Sequence, residues 1–325
     1  MDLRQLRYFV GIVQAGSLSR AADQLHVAQS AISHHLANLE AELDRPLVTR
    51  GPKGILLTKA GSVLYRHAEA ILRRVELAKR DAMSALDVPS GKVSIGFPGV
   101  AAPLLGYELL TRIRAAYPQI ELHVSDGNSW ILRERLVNGR LDIALLYVNH
   151  PQRGLAVEPL LDEELFYVTA EDETSPIKIA DAARRPLLLP GAGSSSWRLV
   201  HEEFKKHGVN ITPIAEIDAL STLRRAIASG LGNTILPWCA LAADDWNAPI
   251  NYRRFVDAKL SRTVSLCFSE VVERSPAIEA TALTLKSLVR ELVESGTWQG
   301  VSLIEPGAEP EHALVPQISS AGAAR

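Results

Sequence analysis

Residues 28–40 read A-Q-S-A-I-S-H-H-L-A-N-L-E. Ile32, Leu36, Leu39 and Leu43 recur at helical spacing and mark a face turned towards a core. The other face carries Gln29, Ser30, Ser33 and His34, with His35 flanking the apolar stripe. A metal, a substrate or a base pair would each suit some of these groups. Metal suits them least. Adjacent helical residues point about 100° apart, whereas helical ligand pairs stand at i, i+4. The stretch has no H-E-x-x-H and no cysteine.

The flanking sequence separates the other two. Leu3, Leu6, Phe9, Val10 and Val13 predict a first helix, ended by Ala15-Gly16. Ser17 is placed to cap a second helix, Leu18 to about Leu25, with Leu18, Ala21, Ala22 and Leu25 facing inward. His26-Val27-Ala28 then turns into the quoted stretch. Two short helices joined by a tight turn, the second with a polar leading edge, form the helix-turn-helix pattern. Residues 47–58, L-V-T-R-G-P-K-G-I-L-L-T, predict a hairpin wing with Arg50 and Lys53 near its tip. Thr58 caps a long helix from Lys59 to about Leu86, of ~28 residues or roughly 42 Å. Leu64, Ala68, Ile71, Val75, Ala78 and Ala82 alternate steps of four and three along it. Such a heptad seam suits dimerisation, the alternative being a helix packed on its own domain.

D-V-P-S-G (87–91) opens a second region. Strand-like K-V-S-I-G-F, I-E-L-H-V and L-D-I-A-L-L-Y alternate with helical stretches at Pro103–Tyr117 and Trp130–Asn138. The alternation resumes from L-F-Y-V-T-A (165–170) and ends in a strong helix, Pro276 to Glu294. This predicts an α/β region with a parallel sheet, split into two lobes. The expected divisions are 1–58 for a winged helix-turn-helix and 59–88 for the linker helix. One lobe takes 89–161 with 267–300, the other 162–266, and a tail rich in Pro, Gly and Ala, 301–325, is expected to be disordered.

Composition narrows the function. The chain has 325 residues, 47% hydrophobic and 22% charged, the profile of a soluble protein. It has neither a membrane-length apolar run nor an export signal, so a cytoplasmic protein with no membrane partner is expected. Cys239 and Cys267 are too few for a disulfide framework or a four-cysteine zinc site and read as buried apolar residues. The net charge of −2 conceals an asymmetry: residues 1–88 carry 12 Lys+Arg against 9 Asp+Glu, and the remainder 23 against 28. A basic N-terminal unit on an acidic body suits DNA binding. The chain lacks a G-x-S-x-G elbow and a P-loop. Gly230-Leu231-Gly232 precedes a strand rather than following one, so an enzyme is not expected, nor a metal or cofactor. A solute-binding protein would share the two lobes but not the winged helix.

Several segments resemble the LysR-type transcriptional regulators. They are L-R-Y-F-V (6–10), G-S-L-S-R-A-A (16–22), L-H-V-A-Q-S-A-I-S-H-H-L-A-N-L-E (25–40), L-V-T-R (47–50) and L-T-K-A-G (57–61). S-G-K-V-S-I-G (90–96), N-G-R-L-D-I-A (138–144) and I-A-S-G-L-G-N-T-I-L-P (227–237) extend the likeness to about residue 295, and it is greatest to the nitrogen assimilation control branch. Asp44 departs from the family, standing where glycine is usual, and so does Val48, where phenylalanine usually packs. The resemblance implies a dimer or tetramer joined through the long helix, acting on promoter DNA and RNA polymerase. It also implies an effector domain like the periplasmic binding proteins, with a small molecule, often an organic anion, between its lobes.

On this reading Gln29, Ser30, Ser33, His34 and His35 face the major groove. Arg50 and Lys53 face phosphates or the minor groove, and Ser17 and Arg20 face the backbone. Three segments should meet at the effector cleft, at strand ends and helix starts. They hold Gly99, Val100 and Ala101; Ser129; and Ser194, Ser195 and Ser196. Tyr147 and Ser221 are further candidates. Plain N-capping is the alternative for the serines, and the apolar Val100 and Ala101 leave open a regulator controlled by abundance alone, its cleft empty.

Overall fold

Asp2 starts the first helix, α1 (Leu3–Ala15), by a reciprocal cap. Its carboxylate accepts the Gln5 N–H, and the Gln5 amide oxygen accepts the Asp2 N–H, each at 2.8 Å. In this computed structural model, which describes residues 1–51, 54–83, 88–241 and 250–305, Gly16 ends α1 in the left-handed conformation. Leu6, Phe9, Val10 and Ile12 are buried, whereas Leu3, placed on that face by spacing, is exposed. α2 (Leu18–Leu25) follows Ser17, whose side chain makes no capping bond although its position is the N-cap. α3 (Gln29–Leu43) buries Ile32, Leu36 and Leu39 against α1 and α2. It ends at Asp44, with φ of 50°, one of two non-glycine residues with positive φ among those described. That geometry explains the departure seen in the sequence: the site is one glycine fills without strain, and aspartate tolerates it better than most.

The wing consists of antiparallel strands β1 (Val48–Gly51) and β2 (Gly54–Leu57). The Ile55 N–H donates to the Gly16 carbonyl at 3.1 Å, which fixes the wing beside the turn between α1 and α2. Val48 packs at the edge of the same core. The long helix α4 (Lys59–Met83) is capped by Thr58, whose hydroxyl accepts the Gly61 N–H at 2.9 Å. The expected continuation of α4 to Leu86 lies outside the described residues, as does Lys53.

The second region begins with β3 (Gly91–Pro98), α5 (Ala102–Ala116), β4 (Ile120–Gly127), α6 (Ser129–Val137) and β5 (Ile143–Leu146). A 15-residue strand, β6 (Leu155–Thr169), then leaves for the second lobe. That lobe holds α7 (Ile179–Ala183), β7 (Leu188–Leu189), α8 (Ser195–Lys206), β8 (Ala215–Glu216), α9 (Leu220–Ala228), β9 (Thr234–Pro237) and β10 (Asn251–Arg253). β11 (Ser261–Ser269) returns to the first lobe, followed by α10 (Pro276–Glu294) and β12 (Val301–Leu303).

The sheet is mixed, not parallel as the alternation predicts. β3 pairs in parallel with β4 and β5, and β7 with β8. β6 and β11, however, cross between the lobes in opposite directions and pair antiparallel with each other. β9, β10 and β12 also pair antiparallel with β6. A chain that leaves a lobe on one strand and returns on its neighbour must reverse direction, so local periodicity does not reveal it. Val264 and Leu266 belong to the first lobe's core and Leu260 to the second's. The return crossing therefore lies near residues 261–263, earlier than the expected 267. Residues 301–303, assigned by composition to the tail, form β12 on β6, and the expected disorder of 306–325 lies outside the described residues.

α4 is tied to the first lobe. Arg73 reaches the fully buried Asp142 carboxylate at 2.6 Å, and that carboxylate also accepts the Ser94 N–H and hydroxyl at 2.7 Å each. Arg140 pairs with Glu69 beside it.

Candidate DNA-reading face and effector cleft

With Ile32, Leu36 and Leu39 held in the core, the start of α3 points away from the protein. Gln29, Ser30 and His34 are exposed there and Ser33 is half-buried. The Gln29 amide oxygen accepts a hydrogen bond from the Ser19 hydroxyl of α2 at 3.1 Å. His34 Nε2 lies 3.1 Å from the Asn38 amide nitrogen, one turn along. His35 turns the other way. Its ring meets Tyr8 edge-on at 5.0 Å between centroids, and its Nδ1 is buried without a partner. The structure therefore joins four of the five predicted side chains in one outward row and gives His35 to the helix-packing layer. Arg20 is exposed and Ser17 half-buried at the start of α2, while the Arg50 backbone pairs with Ile55 in the wing.

The cleft forms as sheet topology requires. β3, β4 and β5 run the same way, so Gly99, Ser129 and Tyr147, which follow their last residues, come to one edge. β7 and β8 do the same for Ser194–Ser196 and Ser221 in the other lobe. The Ser129 hydroxyl and the Tyr147 phenol are buried with no hydrogen-bond partner. Val100 packs against cores in both lobes, and Ala101 is buried, so this segment closes the cleft floor rather than presenting polar groups. Ser194 caps α8, accepting the Trp197 N–H at 3.0 Å. Ser195 is half-buried and Ser221 exposed. The Gly191 N–H, a candidate anion donor, is already donated to the Asp218 carboxylate at 3.0 Å.

The centre of the cleft belongs to residues the sequence reading missed. Arg262, on the returning strand, is buried with Glu163 on the outgoing one. Its Nε and Nη2 donate to one Glu163 oxygen at 3.0 and 2.8 Å. Its Nη1 donates to the Ser196 hydroxyl at 2.6 Å, and its guanidinium lies 3.4 Å from the Tyr147 ring centroid. Arg262 thus joins the first lobe, through Tyr147, to the second, through Ser196. The Cys239 thiol donates to the other Glu163 oxygen at 3.2 Å. Burial, then the Glu163 charge, holds that thiol's pKa well above its usual value, so it stays a protonated donor. Burial likewise raises the Tyr147 phenol pKa well above its ordinary value, against the opposing pull of Arg262. Little in the sequence signals this group: Glu163 stands in a D-E-E run (162–164) and Arg262 between Ser261 and Thr263.

Family models divide the chain as the fold does. Residues 3–62 match the bacterial regulatory helix-turn-helix protein, lysR family, and residues 86–290 match the LysR substrate binding domain. The chain belongs to the LysR family. It is a DNA-binding transcriptional regulator with an effector-binding domain, not an enzyme. The nitrogen assimilation regulatory protein nac of Escherichia coli is 36% identical over 310 residues, covering 93% of this chain and all of the relative. The same-named protein of Klebsiella aerogenes is 37% identical over the same length, again covering 93% of this chain and all of the relative. A full-length OxyR variant of Pseudomonas aeruginosa shares the fold, with a TM-score of 0.69 at 24% identity, over 89% of this chain and 95% of that one. Full-length CbnR complexed with its target DNA is similar at a TM-score of 0.64 and 25% identity, over 90% of this chain and 99% of that one.

In this LysR-family chain the heptad seam divides. Ala68 is fully buried in the winged-helix core and Leu64 packs against it. Ile71 and Ala78 are exposed and Val75 half-buried, while the Ala82 side chain lies outside the described residues. Internal packing thus takes Leu64 and Ala68 and leaves Ile71, Val75 and Ala78 wholly or partly open. Among the described residues no helix is long and apolar enough to cross a membrane, and no group of three or more metal-ligating side chains forms.

Proposed function

We propose that this regulator reads double-stranded promoter DNA in the cytoplasm as a dimer or tetramer, touching RNA polymerase from its bound site, and that a small molecule between the lobes modulates it. The observation carrying the DNA reading is the outward row of Gln29, Ser30, Ser33 and His34 on a helix whose other face is core. The similarity to full-length CbnR, whose structure is a complex with its target DNA, supports DNA binding by this fold. Gln29→Ala is expected to relax preference at one half-site position, by roughly tenfold. Arg50→Ala should weaken all sequences alike and lower the salt slope by about 1. Fluorescence anisotropy across a salt series, on matched and mismatched duplexes, checks both. Unchanged selectivity and slope would rule out this docking.

The exposure of Ile71 and the half-burial of Val75 support dimerisation through these two residues. Ile71→Glu with Val75→Glu should convert the oligomer to monomer in light scattering, since two buried charges per chain would face each other. An intact dimer would remove these residues from the interface.

For the effector, the unpaired Ser129 and Tyr147 hydroxyls favour a ligand that hydrogen-bonds at the cleft wall. An organic anion would have to draw Arg262 from Glu163, because that guanidinium is already neutralised. The same pairing favours a second reading, in which the cleft is closed without ligand and abundance sets activity. Calorimetric titration with a panel of small carboxylates and their neutral amides separates the two. Saturable heat lost in Tyr147→Phe supports a ligand there, and no heat from any member supports the closed cleft.

A further inference from the structure

Ser19 is exposed in the first turn of α2, and its hydroxyl adds little to the core. It stands at the only point where α2 meets a reading side chain of α3 in a hydrogen bond among the described residues. The bond has a direction. Ser19 Oγ donates and Gln29 Oε1 accepts, at 3.1 Å. An amide has one oxygen and one nitrogen on a planar group, so fixing the oxygen towards α2 turns the NH2 outward. A free glutamine in the major groove favours adenine, because it accepts from N6 and donates to N7 at once. The held oxygen keeps a second lone pair, but turned towards α2 it no longer lies beside the nitrogen against one adenine edge. What remains is a donor, which matches guanine O6 and N7 or thymine O4.

We propose that Ser19 is a positioning residue that sets the base preference of Gln29, holding its amide so that it donates to an acceptor edge, guanine or thymine. The inference rests on the docking of α3 given above. In this role Ser19 acts on the bases through Gln29. Alanine is the better helix former at this exposed helical position, so Ser19→Ala should fold normally.

The experiment is a double-mutant cycle read by base preference. Wild type, Ser19→Ala, Ser19→Thr, Gln29→Ala and the Ser19→Ala/Gln29→Ala double variant are each bound to a randomised duplex library, and the bound fraction is sequenced. Gln29→Ala should flatten one half-site position by roughly tenfold. Ser19→Ala should change that same position, lowering guanine or thymine relative to adenine by about three- to tenfold. It should leave the salt slope untouched and have no effect once Gln29 is alanine. Ser19→Thr keeps the hydroxyl and should restore the wild-type profile. If Gln29→Ala flattens its position but Ser19→Ala acts elsewhere, or acts equally without Gln29, the positioning role is overturned while the base reading by Gln29 stands. If Gln29→Ala leaves every position as in wild type, the docking of α3 itself is overturned, and the role of Ser19 with it.

Discussion

Gly61→Ala is expected to unfold the winged helix selectively and abolish DNA binding. A Cβ at Gly61 would sit 1.9 Å from the Leu47 carbonyl oxygen and 2.8 Å from its carbon. Both are backbone atoms, so no side chain can swing aside. The same carbonyl accepts the Thr58 N–H at 3.0 Å and the Thr58 hydroxyl at 3.2 Å, which join wing and linker helix. Relieving the clash means moving α4 away from the wing and losing those bonds together with the burial of Ala68. Overpacking typically costs about 1–3 kcal/mol, and a contact as short as this one with rigid backbone belongs at or above the upper end. A unit of roughly 60 residues has little stability in reserve. Thermal melts of the full chain, with duplex binding measured alongside, check this. Gly193→Ala, where a Cβ meets nothing within 4 Å, is the control and should be neutral. A Gly61→Ala protein that melts and binds like wild type would mean that α4 does not pack against Leu47 as described.

Arg262→Met is expected to destabilise the effector domain by about 3–5 kcal/mol, the usual result of stranding a buried charge. Glu163, with its side chain 1% exposed, would keep the Cys239 thiol alone as a side-chain hydrogen-bond partner among the described residues. The second arm of the prediction has the opposite sign. Removing both charges in Arg262→Met/Glu163→Met eliminates the desolvation that the ion pair must overcome, and the domain should recover most of its stability. Denaturant melts of the two single variants and the double variant complete the cycle. If the double variant is as unstable as Arg262→Met, the clasp matters through its bonds to Ser196 and Tyr147 rather than through charge. If Arg262→Met is itself neutral, the pair is not buried.

These two sites differ in how far the sequence disclosed them. Gly61 sits in a local motif, L-T-K-A-G, within a run of helix starts and stops that depend on near neighbours. Such elements show in periodicity and capping, and the three helices, the wing strands and the start of the linker helix lie where the spacing predicts. Arg262 and Glu163 are 99 residues apart. Their meeting depends on two strands crossing between lobes, which no local pattern encodes. The D-E-E run before Leu165 also hid the first half of β6, since charge interrupts the apolar signal that marks a strand. Leu64 and Ala68 show a third limit. A heptad records an apolar stripe but not which surface covers it, and here the protein's own core covers these two residues. The reading helix was legible in composition, whereas the bond from Ser19 to Gln29 required the crossing of α2 and α3 in space.

The most direct test of the central claim is selection of bound sequences from a randomised duplex library by the purified full-length protein. A dimeric reader with α3 in the major groove should recover an inverted repeat whose half-sites are centred roughly one helical turn, or a multiple of it, apart. Its enrichment should collapse in Gln29→Ala at one base pair of each half-site. A folded, oligomeric protein that enriches no sequence, with and without pooled small metabolites, would contradict the account.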